Sequence, residues 1–198
     1  MWQAALALLA LAETATTSAP APLPGRPLPA PALYVTHNQG LRIVIPGGLT
    51  YCPLPPDWVG SDHGVELYLT PPSGCGGAGY QSSDRDAGSQ TPSIAIYYEF
   101  NTDDYVDRRR CAAPVALRLF GRPARACRRR EAGWITVEAS ANYSIGQEPH
   151  DLVLTLRTTG ARYTHDLARF RSFAKGVAVC RPEWGDGHQP ACPKSQWF

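Results

Sequence analysis

Runs of alternating apolar and polar residues dominate the chain from residue 33 onward. Leu33 to Thr36 and Leu41 to Pro46 are two β-rich runs parted by Asn38-Gln39-Gly40, where Gly40 supplies the positive φ of a hairpin turn. Val65, Leu67 and Leu69 alternate with Glu66, Tyr68 and Thr70, the period-2 signature of a half-buried strand. Ile94, Ile96, Tyr98 and Phe100 share one face of a further run, which reads as a central strand. A meander follows, with "VALRLFG" and "ARACRRR" flanking Gly121-Arg122-Pro123, "WITVEASANY" after Glu131-Ala132-Gly133, and then "DLVLTLRT".

Two stretches follow helical spacing instead. In "NTDDYVDRRRCAA", Asn101 or Thr102 can cap, acids fill the first turn and arginines the last, and Pro114 stops the segment, which predicts a short helix. Tyr163, Leu167, Phe170 and Ala174 recur at i, i+4, i+7 and i+11, an amphipathic helix that Gly176 would close in a left-handed conformation. The expected fold is therefore a single α+β domain. It has a mainly antiparallel sheet, a short mid-chain helix, and a C-terminal amphipathic helix packed on one face. Alternating βα units are absent, so a parallel doubly wound sheet is not expected.

The ends of the chain add a domain plan. Residues 1–12 hold an apolar run closing in Ala10-Leu11-Ala12, which reads as a signal peptide without a basic start. It is too short to be a transmembrane segment, since a helix needs about 20 residues to cross a bilayer. Residues 13–32 form a Pro/Ala-rich linker whose prolines favour extended conformers over packing, and 33–198 form the folded, secreted or periplasmic domain.

Six cysteines, at 52, 75, 111, 127, 180 and 192, fit disulfides in an exported chain. No C-x-x-C or short Cys/His cluster offers zinc the paired ligands it needs, so no metal is expected. Sequential pairing is the expectation. Cys111 and Cys127 flank a hairpin, Cys180 and Cys192 bracket a short Gly/Pro-containing tail, and Cys52 with Cys75 remains.

Candidate chemistry is sparse. Gly74, Gly76 and Gly79 stand in G-x-G-x-x-G register, but Pro71-Pro72 precede them and no apolar helical period follows. A dinucleotide site needs a tight strand-to-helix turn there, so the segment reads as a loop letting Cys75 reach its partner, and no cofactor is expected. G-x-S-x-G and H-E-x-x-H are both missing. His63, His150 and His165 each neighbour an aspartate, yet sequence neighbours in a strand or helix point apart, so solvated histidines are expected and no catalytic residue is assigned.

Charge is concentrated rather than abundant. Between Asn101 and Ile135 nine arginines face four acids, an excess of five positive charges where the whole chain carries +2. That overall balance gives no reason to expect nucleic acid as a partner. A Cys111–Cys127 bridge would bring Arg108, Arg109 and Arg110 near Arg128, Arg129 and Arg130, a guanidinium cluster suited to carboxylates or phosphates. Trp184 and Trp197 lie in or beyond the last Cys loop, where an interface anchor is expected. Asn142-Tyr143-Ser144 is a formal glycosylation sequon.

Together these features favour a non-enzymatic binding or inhibitory domain of immunity type, meeting an anionic protein or envelope partner through the Arg-rich hairpin. Two readings compete with it. One is an envelope-polymer hydrolase with a dispersed His/carboxylate site, the other a structural envelope protein tethered by the Pro-rich arm.

Overall fold

The computed structural model describes residues 23, 25–36, 39–52, 64–72, 75, 91–99, 111, 113–145, 148–181 and 190–194. The strands are β1 (Ala32–Thr36), β2 (Leu41–Ile45), β3 (Thr50–Tyr51), β4 (Gly64–Tyr68), β5 (Ser93–Glu99), β6 (Pro114–Leu119), β7 (Arg122–Glu131), β8 (Trp134–Ile145) and β9 (Glu148–Thr159). Helix α1 (Tyr163–Lys175) and strand β10 (Val177–Val179) complete them. Of the mid-chain helix expected over residues 101–113, residues 101–110 and 112 lie outside the described residues, and Cys111 and Ala113 are described and not helical.

Two antiparallel sheets replace the single sheet expected: a three-stranded one in the order β1-β2-β10, and a seven-stranded one in the order β3-β4-β5-β9-β8-β7-β6. β5 is interior, between β4 and β9. The β1–β2 hairpin forms the second sheet by pairing with none of the seven strands, and it gains β10, a three-residue strand after α1 that is too short to carry a period of its own. The result remains a sheet-rich α+β fold.

Register turns the sequence alternation into one apolar face. Ile96 stands opposite Leu154, which stands opposite Ala139, and all three are buried. Val115, Leu117 and Leu119 of β6 continue that face. Against it α1 lays Leu167, Phe170, Phe173 and Ala174, and β2 adds Leu41, Ile43 and Ile45, all in one continuous cluster. Each such large side chain contributes roughly 1.5–3 kcal/mol on burial, so this shared core holds both sheets to the helix.

Arginines pin the helix at both flanks. Arg169 Nη1 donates to the carbonyl of Leu69 at 3.3 Å, just past β4, and Arg171 Nε donates to Ala116 of β6 at 3.1 Å. The second bond occupies an acceptor on an edge strand, where unpaired carbonyls invite foreign strands. Gly176 does not close the helix as expected, for its φ is −77°. Glycine serves there because a Cβ would stand 2.5 Å from the Val44 carbonyl oxygen, on a segment whose own carbonyl accepts from Val44 N at 3.0 Å.

The β6–β7 turn falls one residue earlier than expected. Leu119 pairs with Arg122, leaving Phe120 and Gly121 as a two-residue loop with φ of 52° and 72°. Ala132 and Gly133 repeat that geometry between Glu131 and Trp134, at 46° and 84°. Positive φ at both loop residues matches the twist of the flanking strands. Pro123 falls inside β7 opposite Arg118, and is tolerated because β8 pairs only from Cys127 onward, so no β8 partner lies opposite it.

Candidate functional site

All three disulfides join the expected partners, with Cα separations of 5.4 Å for Cys52–Cys75, 5.4 Å for Cys111–Cys127 and 4.8 Å for Cys180–Cys192. The second ties the segment before β6 to mid-β7, bracing the hairpin that bears Arg118, Arg122, Arg125, Arg128, Arg129 and Arg130, all six exposed. Arg108, Arg109 and Arg110 lie outside the described residues, as do Trp184 and Trp197.

The strand pleat divides the triplet of β7. Arg128 stands opposite Val137 and Arg130 opposite Ile135, both buried inner-face residues, so these two guanidinium groups belong to the helix side. Arg128 accordingly rests over the Tyr163 ring, 5.5 Å from its centroid. Arg129 stands opposite Thr136 on the outer face, which it shares with Arg125 on the same strand and Arg118 across the hairpin. Arg157 extends this row through Thr136, its guanidinium 4.3 Å over the Trp134 ring. A cationic strip of Arg118, Arg125, Arg129 and Arg157 therefore forms from four separate positions, none adjacent in sequence.

One carboxylate moderates the strip. Glu138 lies on the same face, opposite Cys127 and diagonal to Arg129, half-buried and with Oε1 buried and without a hydrogen-bond partner. Burial raises its pKa, and the Arg129 charge offsets part of that rise. An acid whose folded pKa is raised favours the fold when protonated. Its penalty appears as pH climbs past the ordinary value near 4.3. Glu138→Gln is therefore expected to raise stability at pH 7 by about 0.5–1 kcal/mol, partial exposure and Arg129 limiting the gain. Thermal melts at pH 7 and pH 3.5 check this, the two proteins differing only at the higher pH.

The histidines depart from expectation in different ways. His63 lies outside the described residues. His150 is buried, not solvated, because β9 begins at Glu148 and the pleat turns His150 inward with Leu152, stacked on the Tyr143 ring at 5.2 Å. Tyr143 in turn donates to the Gln39 carbonyl at 2.9 Å, joining β8 to the β1–β2 turn, and burial with the Asp151 charge raises its pKa strongly.

His165 is exposed as expected, yet it does meet its neighbour, with Nδ1 3.1 Å from Asp166 Oδ1. Asp166 also accepts from Thr158 Oγ1 at 2.5 Å and from Arg162 Nε and Nη2 at 3.0 and 3.2 Å. Those donors outweigh the burial that raises its pKa, and the net shift is downward. The Arg162/Asp166 i, i+4 spacing and the His165-Asp166 adjacency were the signals of this network in the sequence.

A cleft of about 300 Å³ opens where the β7–β8 turn meets Gly160, lined by Arg130, Glu131, Ala132, Gly133, Ile135 and Gly160. No histidine borders it. Among the described residues no group of three or more His, Cys, Asp or Glu side chains is placed to hold a metal ion, and no helix is long and apolar enough to cross a membrane. No known protein family matches the chain, and no curated protein matches it in sequence.

Proposed function

We propose that this protein is an exported binding domain of inhibitor or immunity type, which holds an acidic protein surface against the strip of Arg118, Arg125, Arg129 and Arg157. The observation that carries this reading is the placement of Arg118, Arg125 and Arg129 on one face of a hairpin closed by a two-residue turn and braced at its base by Cys111–Cys127, with Arg157 of β9 on the same face of the sheet. Rigid presentation lowers the entropy lost on binding, and guanidinium groups take carboxylates in bidentate pairs. Three disulfides suit an oxidising compartment, either extracellular or periplasmic.

The test is retention of an acidic partner by the immobilised oxidised domain across a salt series, comparing the natural protein with Arg118→Ser/Arg125→Ser/Arg129→Ser. The triple variant is expected to bind at least tenfold more weakly and with a shallower salt dependence, because exposed charge pairs are screened. Its thermal midpoint should stay within about 3 °C, as exposed substitutions cost little. Equal affinity of the two proteins, or a retained partner insensitive to salt, defeats the reading.

A further inference from the structure

We infer that the cleft between the β7–β8 turn and Gly160 is the seat for a single glutamate side chain presented by the acidic partner. The inference rests on the binding reading above and adds to it a contact at the end of the sheet where Arg130 projects, on the face opposite to the outer strip. Arg130 forms one wall, offering a planar fork that grips a carboxylate with two parallel hydrogen bonds. Ile135, 1% exposed, forms an apolar floor, which suits the methylene stem of glutamate.

Space is open on the other sides. A Cβ built on Gly133 or Gly160 meets nothing within 4 Å, so backbone alone borders the cleft at those points. The volume, about 300 Å³, sits at the small end of ligand sites, room for a side chain and not for a secondary-structure element.

Charge selects the ligand class. Glu131 lines the same cleft and balances one guanidinium. Arg128 stands two residues along on the same face, about 6.6 Å from Arg130 by strand rise, with its guanidinium parked on Tyr163. Arg128 adds positive field beside the cleft without lining it, and within the lining Arg130 is the one cation, a match for a single monoanionic carboxylate. A dianionic phosphate would be repelled by Glu131.

The test uses capped peptides as probes, so that no chain end supplies a carboxylate. An acetylated and amidated peptide with one central glutamate, its glutamine counterpart, its phosphoserine counterpart, and the glutamine peptide with a free C-terminus are each titrated into the ¹⁵N-labelled, oxidised full chain. The glutamate peptide is expected to shift the amides of Gly133 and Gly160 and the Nε–H of Arg130 saturably, and the glutamine peptide to leave them still. Gly160→Leu should weaken that binding at least tenfold by filling the cleft, and since Gly160 is outside the left-handed range and its Cβ is uncrowded, the fold should survive.

If Gly160→Leu does not fold, Arg130→Gln reads the same loss. Shifts spread over all the arginines, indifference to both variants, or tighter binding of the phosphoserine or free-ended peptide would each overturn the inference. Should the cleft take no glutamate while the triple variant still loses its partner, the binding reading stands and only this inference falls. A saturable cleft beside an unaffected triple variant keeps the glutamate seat and removes the outer strip as the binding surface.

Discussion

Asp166→Ala is expected to lower the unfolding free energy at pH 7 by about 3 kcal/mol, the scale set by breaking a buried charged network. The carboxylate has no exposed surface and accepts from Thr158, Arg162 and His165. Its partners lose it unequally. Arg162, with 36% of its side chain exposed, can turn to solvent, whereas Thr158 at 0% keeps a hydroxyl stripped of its acceptor. Asp166 also stands in the first turn of α1, where a negative charge meets the positive end of the helix dipole.

The pH dependence follows from the sign of the shift. Burial alone would raise the Asp166 pKa, but Arg162, Thr158 and His165 carry it below its ordinary value. A carboxyl with a lowered folded pKa contributes stability that is fully present above the unfolded value, about 3.9, and lost as pH falls through the folded one. Urea titrations at pH 7, 5, 3 and 2 should therefore show natural and variant proteins converging toward pH 2. Parallel stability curves down to that pH would refute the assignment. Asp166→Asn should recover part of the loss, because its amide oxygen still accepts from Thr158.

Gly40→Ala is expected to cost about 2–4 kcal/mol, combining a left-handed backbone with overpacking. Gly40 has φ +55°, and a Cβ there would stand 2.6 Å from Ile145 Cδ1 and 2.7 Å from the Cys180 carbonyl oxygen. The isoleucine methyl can rotate away. Cys180 cannot withdraw so easily, since its N–H donates to the Gly40 carbonyl at 2.7 Å and its sulfur is bonded to Cys192. The thermal midpoint should fall by roughly 5–15 °C for a chain of this size. Ile145→Val added to Gly40→Ala should recover only a fraction, because the backbone clash remains. An unchanged midpoint would mean that the turn has slack the packing denies.

Which elements were legible in the residues follows from how each is stabilised. β2, β4, β5, β8 and β9 were visible because one face of each carries the large apolar side chains of the core, which writes a period of 2 into the chain. Helix α1 was visible for the analogous reason at 3.6. β3 and β10 were not, since two or three residues cannot display a period and they pair only because longer strands bring them alongside. Cys111–Cys127 and Cys180–Cys192 followed from the hairpin and the short tail they bracket, and Cys52–Cys75 by elimination.

The candidate site was less legible. A run such as Arg128-Arg129-Arg130 looks like one patch when read linearly, and the pleat sends its members to opposite faces. Arg129 and Arg157 fall in one cross-strand row, and Arg118 on their face, only through the β6–β7–β8–β9 register. His150 turned inward because a strand began three residues earlier than its apolar run suggested.

The linear chain thus settled the local periods, the turn chemistry, the six half-cystines and the concentration of arginine, because each depends on residues close in sequence. Sheet order, the division of charge between two faces, the Thr158/Asp166/Arg162 network and the cleft beside Gly160 depend on residues brought together from separate strands and the helix. Hydrophobic burial is non-directional and specifies that apolar faces must meet. Which polar groups then face one another is decided by strand register, and register exists only once the sheet has formed.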